Sequence, residues 1–149
     1  MHRALELVLS GSIASVDTAV EVAAQAVELT EHRADAVADV QRALAALHTH
    51  GVVANPTVAV ALEYPLATAW SDGKLMTGFI DLLALGADAA MVIDFKTDAA
   101  PSGGLPAAYE RYARQLRLYG EMLRTAGVVG RRQLRLGLLL TATGELHWV

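Results

Sequence analysis

Three side chains stand where a strand pair should be burying apolar groups. The stretch GFIDLLALGADAAMVIDFKTD, residues 78–98, alternates and clusters apolar residues around a short polar break, yet it carries Asp81, Asp94 and Lys96. If Ala87 and Asp88 form a two-residue loop, Gly86 lies across from Ala89 and, counting back along both strands, Asp81 lies across from Asp94. Their Cβ atoms would then be about 5 Å apart on one face. Lys96, two residues past Asp94, shares that face, and Phe95 points into the opposite layer. A slip of one residue would separate the acids, so the register carries the reading. Two carboxylates opposed in a dry setting repel, and one of them would hold a proton. A divalent cation between them removes the conflict, and oxygen donors favour Mg²⁺ or Mn²⁺ over zinc. With an ammonium alongside, such a site could polarise a phosphate, activate water and steady developing negative charge. The plainer alternative is an Asp94–Lys96 pair at the end of an ordinary strand.

The rest of the chain has to position these groups. Helical spacing of Ala, Val and Leu predicts three helices, over residues 2–9, 15–33 and 34–50. Ser15 or Asp17 caps the second, Gly51 stops the third, and His48 and His50 suit a helix C-terminus. Residues 54–56, ANP, break the pattern. A strand follows over 57–70, where Pro65 signals an edge or a bulge. After a turn at 71–74 come strands at 75–85 and 89–97, then a polar loop over 98–106. A long helix begins at Pro106 and stops at Gly127. Strands at 132–142 and 145–149 close the chain as a hairpin. The expected fold is α/β: N-terminal helices, then a mixed sheet in the order βββαββ, within a single domain spanning 1–149 (1–51 helical, 57–149 catalytic core).

Composition narrows the functional classes. Of 149 residues 54% are hydrophobic, which suits a globular domain and argues against disorder. No apolar run reaches the roughly 18 residues of a membrane span. The N-terminal stretch lacks the plan of a signal peptide, so a cytoplasmic location without membrane partners is expected. With no cysteine, an iron–sulfur cluster or thiolate metal site is excluded. The net charge of −4 hides an asymmetry: residues 1–100 hold 5 Lys/Arg against 13 Asp/Glu, and residues 101–149 hold 7 Arg against 3 Glu. The basic third is where a polyanion would meet the chain. Arg111, Arg114 and Arg117 recur there every three residues, either as a solvated face or as phosphate contacts to DNA. Arg131, Arg132 and Arg135 form a second cluster with the same two readings.

The hairpin motifs G-x-x-D and D-x-K, with Q-x-x-x-Y downstream, resemble the PD-(D/E)XK nuclease superfamily, specifically the RecB-type nuclease domain at the C-terminus of bacterial helicase–nucleases. The resemblance spans nearly the whole chain in the family's order. HRALELV is similar to the first-helix histidine motif, which implies His2 as a metal ligand. LEYPL resembles the strand whose glutamate precedes the catalytic hairpin, here Glu63. GFIDLL and IDFKT supply Asp81, Asp94 and the catalytic Lys96, and the Phe95 carbonyl is a further donor to the ion. YERYARQLRLYG supplies Gln115 and Tyr119, which share a helix face. Tyr109, Tyr112, Leu116 and Leu123 follow the same spacing, which equally describes core packing.

The resemblance implies a Mg²⁺- or Mn²⁺-dependent deoxyribonuclease, expected to be an exonuclease acting on single strands or ends in DNA repair and recombination. Its helicase partner would be fused or supplied in trans. The alternatives are a silent nuclease-like module that guides DNA and a restriction-type endonuclease on the same fold.

Overall fold

The computed structural model describes residues 1–27, 32–53, 55–69, 73, 75–97 and 104–149. The elements run α1 (His2–Leu9), α2 (Val16–Ala26), α3 (Arg33–Thr49), β1 (Ala59–Ala69), β2 (Leu75–Leu85), β3 (Ala89–Lys96), α4 (Gly104–Thr125), β4 (Gln133–Leu140) and β5 (Glu145–Trp148). This is the α/β succession expected from the sequence, N-terminal helices followed by βββαββ. The sheet order is β1-β2-β3-β4-β5. It is antiparallel except between β3 and β4, which run parallel and are joined through α4.

Local signals account for most boundaries. Ser15 caps α2 by accepting from the Thr18 N–H, which settles the choice between Ser15 and Asp17. That helix ends at Ala26, well short of residue 33, with Val27 closing back onto the Ala24 carbonyl. Gly51, at φ +69°, ends α3, and Asn55 folds the following chain by accepting from the Thr57 N–H at 2.9 Å. The turn expected at 71–74 lies outside the described residues except for Gly73. The expected loop at 98–106 also lies outside them up to residue 103. Gly104 and Leu105 already belong to α4, so Pro106 stands inside the first turn and not at its start. There a missing N–H costs the helix nothing, which is why the proline fails to mark the boundary. No helix among the described residues is long and apolar enough to cross a membrane.

The sheet has a core on each face. On one, Leu82, Ala84, Met91, Ile93, Phe95 and Leu139 pack under α1, α2 and α3. On the other, Leu83, Val92, Leu138 and Leu140 pack under Tyr112, Leu116 and Leu123 of α4. Each fully buried Leu or Ile contributes about 1.5–3 kcal/mol relative to exposure. Gly137 of β4 belongs to this economy of space, because a Cβ there would sit 2.8 Å from Ile93 Cδ1.

One end of the sheet is tied shut. The β2–β3 turn is closed by Gly86 N–H to Ala89 O, and Gln133 N–H reaches Asp88 O. Arg132 Nε donates to Gly86 O at 2.6 Å, and the Arg135 guanidinium lies 3.9 Å from the Trp148 ring centroid. Two members of the second arginine cluster are thus engaged within the fold.

Candidate active site

The β2–β3 register is the one that places the acids together. Leu85 pairs with Ala90, Ala84 with Met91, Leu83 with Val92 and Leu82 with Ile93. The ladder stops there, one step before Asp81 and Asp94. At that point Asp81 turns its carboxylate across the gap, and Oδ2 accepts from the Phe95 N–H at 2.6 Å. The side chain takes over where the backbone pairing ends, so Asp81 faces the main chain of β3 more than it faces the Asp94 side chain.

The same step interrupts β1. Leu62 pairs with Leu82 and Tyr64 with Ile80, with no pair between Glu63 and Asp81. Glu63 sits at φ +48°, in the left-handed region that a non-glycine residue enters at a cost of about 1–3 kcal/mol. The strands change phase across it. Leu62 and Leu82 pack under α1–α3, whereas Tyr64, Leu66 and Ile80 pack under α4. Beyond the break the other face of the hairpin is bare, and Leu75 and Phe79 are exposed.

His2 opens α1 on the helical side of this gap. Its Nε2 lies 3.0 Å from Phe95 O and 3.6 Å from Asp81 Oδ2, and its ring stacks on the Phe95 ring at 5.9 Å between centroids. The 3.0 Å contact requires the proton on Nε2, because a carbonyl only accepts. Ligation through that nitrogen would require the other tautomer.

Asp94 is 5% exposed, and Lys96 Nζ stands 2.6 Å from its Oδ2. The contact is ionic without the alignment of a hydrogen bond, and among the described residues Asp94 Oδ2 has no hydrogen-bond donor. Burial holds the Asp81 carboxyl above the ordinary aspartate range. The Phe95 N–H and His2 pull it back, while the Asp94 and Glu63 carboxylates push it up.

The structure therefore forms two neighbouring groups: His2, Asp81 and the Phe95 carbonyl in one, Asp94 and Lys96 in the other. Among the described residues no three His, Cys, Asp or Glu side chains gather closely enough to hold an ion as placed. The donor chemistry nevertheless fits a hard divalent cation. Carboxylate and carbonyl oxygens predominate, one carboxylate oxygen is buried without a donor, and burial, helped by neighbouring negative charge, raises a second carboxyl.

Helix α4 covers the Asp94–Lys96 side. Gln115 Nε2 donates to the Tyr119 hydroxyl at 2.9 Å, so these two residues first support each other. Tyr119 then explains the glycine of G-x-x-D: a Cβ on Gly78 would stand 3.0 Å from Tyr119 Cε1. Gly78→Ala is expected to push the ring aside and cost about 1–2 kcal/mol. Denaturant unfolding measures that cost, and an unchanged midpoint would show that the ring gives way freely. The arginine stripe is partly engaged. Arg111 Nη2 donates to the Tyr112 hydroxyl at 3.1 Å, and Arg117 lies 3.7 Å from Glu110, although all three arginines are exposed. Sequence reasoning read Tyr112 chiefly as core packing. It is buried, but its ring also lies 4.9 Å from Lys96 Nζ, a contact that helical spacing alone does not signal.

The family model for the PD-(D/E)XK nuclease superfamily matches residues 1–145. The chain is also similar to one component of the ATP-dependent helicase/nuclease of Carboxydothermus hydrogenoformans, 45% identical over 56 residues. That match covers 38% of this chain and 5% of the relative's length.

Proposed function

This chain belongs to the PD-(D/E)XK nuclease superfamily, and on that premise we propose that it is a Mg²⁺- or Mn²⁺-dependent deoxyribonuclease module, acting as an exonuclease within a helicase–nuclease. The observation that carries the reading is the break in the sheet at Asp81 and Glu63. It brings a histidine, two aspartates and a lysine to one fork between strands, at a cost in backbone strain. In this reading residues 1–149 form one module, with DNA as substrate. The named activity of the partial relative supports a helicase fused to it or bound in trans.

The residues then divide the work. Asp81, Asp94, His2 and the Phe95 carbonyl would hold the cation, which when bound supplies Lewis-acid polarisation of the phosphate. Lys96, with its side chain 19% exposed, meets the substrate from the solvent side, orienting the attacking water and stabilising charge on the phosphate oxygens. Asp94 keeps the ammonium at the fork. Attack in line with the 3′ oxygen leaves a 5′-phosphate and a 3′-hydroxyl. Glu63 sets the crank that frees Asp81 from the ladder, and Gln115 with Tyr119 braces the hairpin through Gly78. Arg114, exposed like Arg111 and Arg117 but not drawn into their contacts with Tyr112 and Glu110, offers the most direct phosphate contact.

The test is degradation of linear single-stranded DNA by the wild-type protein with Mg²⁺ or Mn²⁺. Cutting is expected with either ion, with none in excess chelator and none on closed circles. Inertness with both ions would refute the enzymatic reading and favour a module that guides DNA without cutting. Cleavage of circles would replace the exonuclease with an endonuclease.

A further inference from the structure

Lysine is a long flexible chain ending in a point charge, and a single carboxylate fixes how far the ammonium lies without fixing its direction. Here the carboxylate contact is close, 2.6 Å from Asp94 Oδ2, but lacks hydrogen-bond alignment. A second neighbour supplies what is missing. The Tyr112 ring of α4 stands with its centroid 4.9 Å from Lys96 Nζ, and the ring is 6% exposed. The same ring has the Arg111 guanidinium carbon at 4.9 Å, and Arg111 also binds its hydroxyl at 3.1 Å. A cation over an aromatic face is drawn to the ring's quadrupole, more strongly where water is excluded. Tyr112 is itself clamped, with Leu116 and Leu123 packed beside it in the core under α4.

We propose that Tyr112 is a positioning residue for Lys96: the rigid ring gives the ammonium a second fixed point, so that Asp94 and Tyr112 together aim it. The inference rests on the reading of Lys96 as the group that orients the attacking water. It makes α4 part of the catalytic geometry as well as a cover for the sheet. A purely structural Tyr112 would be replaced by any side chain that fills its volume. A positioning ring requires aromaticity and not the hydroxyl.

The test compares wild type, Tyr112→Phe and Tyr112→Leu, each checked for folding by circular dichroism and thermal melting. By NMR, the Lys96 ε-methylene protons should be shifted upfield by the ring in wild type and Tyr112→Phe, and return to ordinary positions in Tyr112→Leu. On linear DNA with Mn²⁺, Tyr112→Leu should lose about 5- to 30-fold in kcat with KM within about twofold, while Tyr112→Phe stays near wild type. An absent ring shift in wild type would overturn the proposal, as would an unchanged kcat in Tyr112→Leu. Equal losses in both variants would overturn it too, because the hydroxyl and Arg111 would then be what matters. The NMR arm needs no cutting. A wild type that shows the ring shift yet cuts nothing refutes the nuclease reading and upholds the placement of the ammonium by the ring.

Discussion

Lys96→Ala is expected to cut linear DNA at least about 10²–10³-fold more slowly than wild type while binding DNA almost unchanged and Mn²⁺ more tightly. Asp94→Ala, by contrast, should lose both cutting and ion affinity. The difference follows from position. Lys96 is the partly exposed member of the pair, whereas Asp94 is the buried carboxylate whose oxygen has no hydrogen-bond donor among the described residues. Removing the lysine leaves a buried carboxylate without its counter-charge. Without metal this should cost about 1–3 kcal/mol, below the figure for a fully buried pair because the lysine keeps some solvent. A bound cation restores the missing charge. Mn²⁺ should therefore raise the melting temperature of Lys96→Ala by more than that of wild type. Calorimetric titration and melts with and without Mn²⁺ measure both effects. Equal ion affinity in Asp94→Ala and wild type would remove Asp94 from the ligand set.

The second large effect is on pH. Burial first, then the Asp94 and Glu63 carboxylates, raise the Asp81 carboxyl above its unfolded value. Between those two values the folded protein holds a proton that the unfolded chain has released. Metal-free stability should thus fall as pH rises through that window and level off above it. Ion binding runs the other way, because the cation needs the ionised carboxylate. Affinity should rise about tenfold per pH unit through the same window and then plateau. Titration of Mn²⁺ at a series of pH values checks the slope, and Asp81→Asn should flatten both curves. An affinity that does not vary with pH in wild type would show that Asp81 does not meet the ion.

The strand register was legible because two independent cues agreed. Granted a two-residue loop at Ala87 and Asp88, the apolar runs flanking it pair in one register, and that pairing is observed from Leu85–Ala90 to Leu82–Ile93. The mixed sheet was legible for a similar reason: a long amphipathic helix between strands calls for a parallel return, and β3 and β4 make it. What could not be read was the behaviour one step beyond the ladder. Pro65 signalled an edge or a bulge in β1, but no glycine or asparagine marks residue 63, so neither its left-handed backbone nor the change of phase it imposes on both strands could be placed there. Alternation read straight through β1 and β2 keeps one face throughout, but the packing switches faces there. The arginine stripe was legible as spacing and not as partnership. Arg117 finds Glu110 two turns back, a neighbour that helical periodicity offers, whereas Arg111 bonds the adjacent Tyr112, a contact that spacing does not signal.

The staple formed by Arg132 at Gly86 has a consequence for the acids at the opposite end. With the turn end fastened and the β2–β3 ladder ending at Leu82–Ile93, the two strands run on from a pinned corner to Asp81 and Asp94, β2 held along its outer side by β1 and β3 by β4. The fork therefore starts from a fixed corner, and what fixes that corner is an arginine at the opposite end of the ladder.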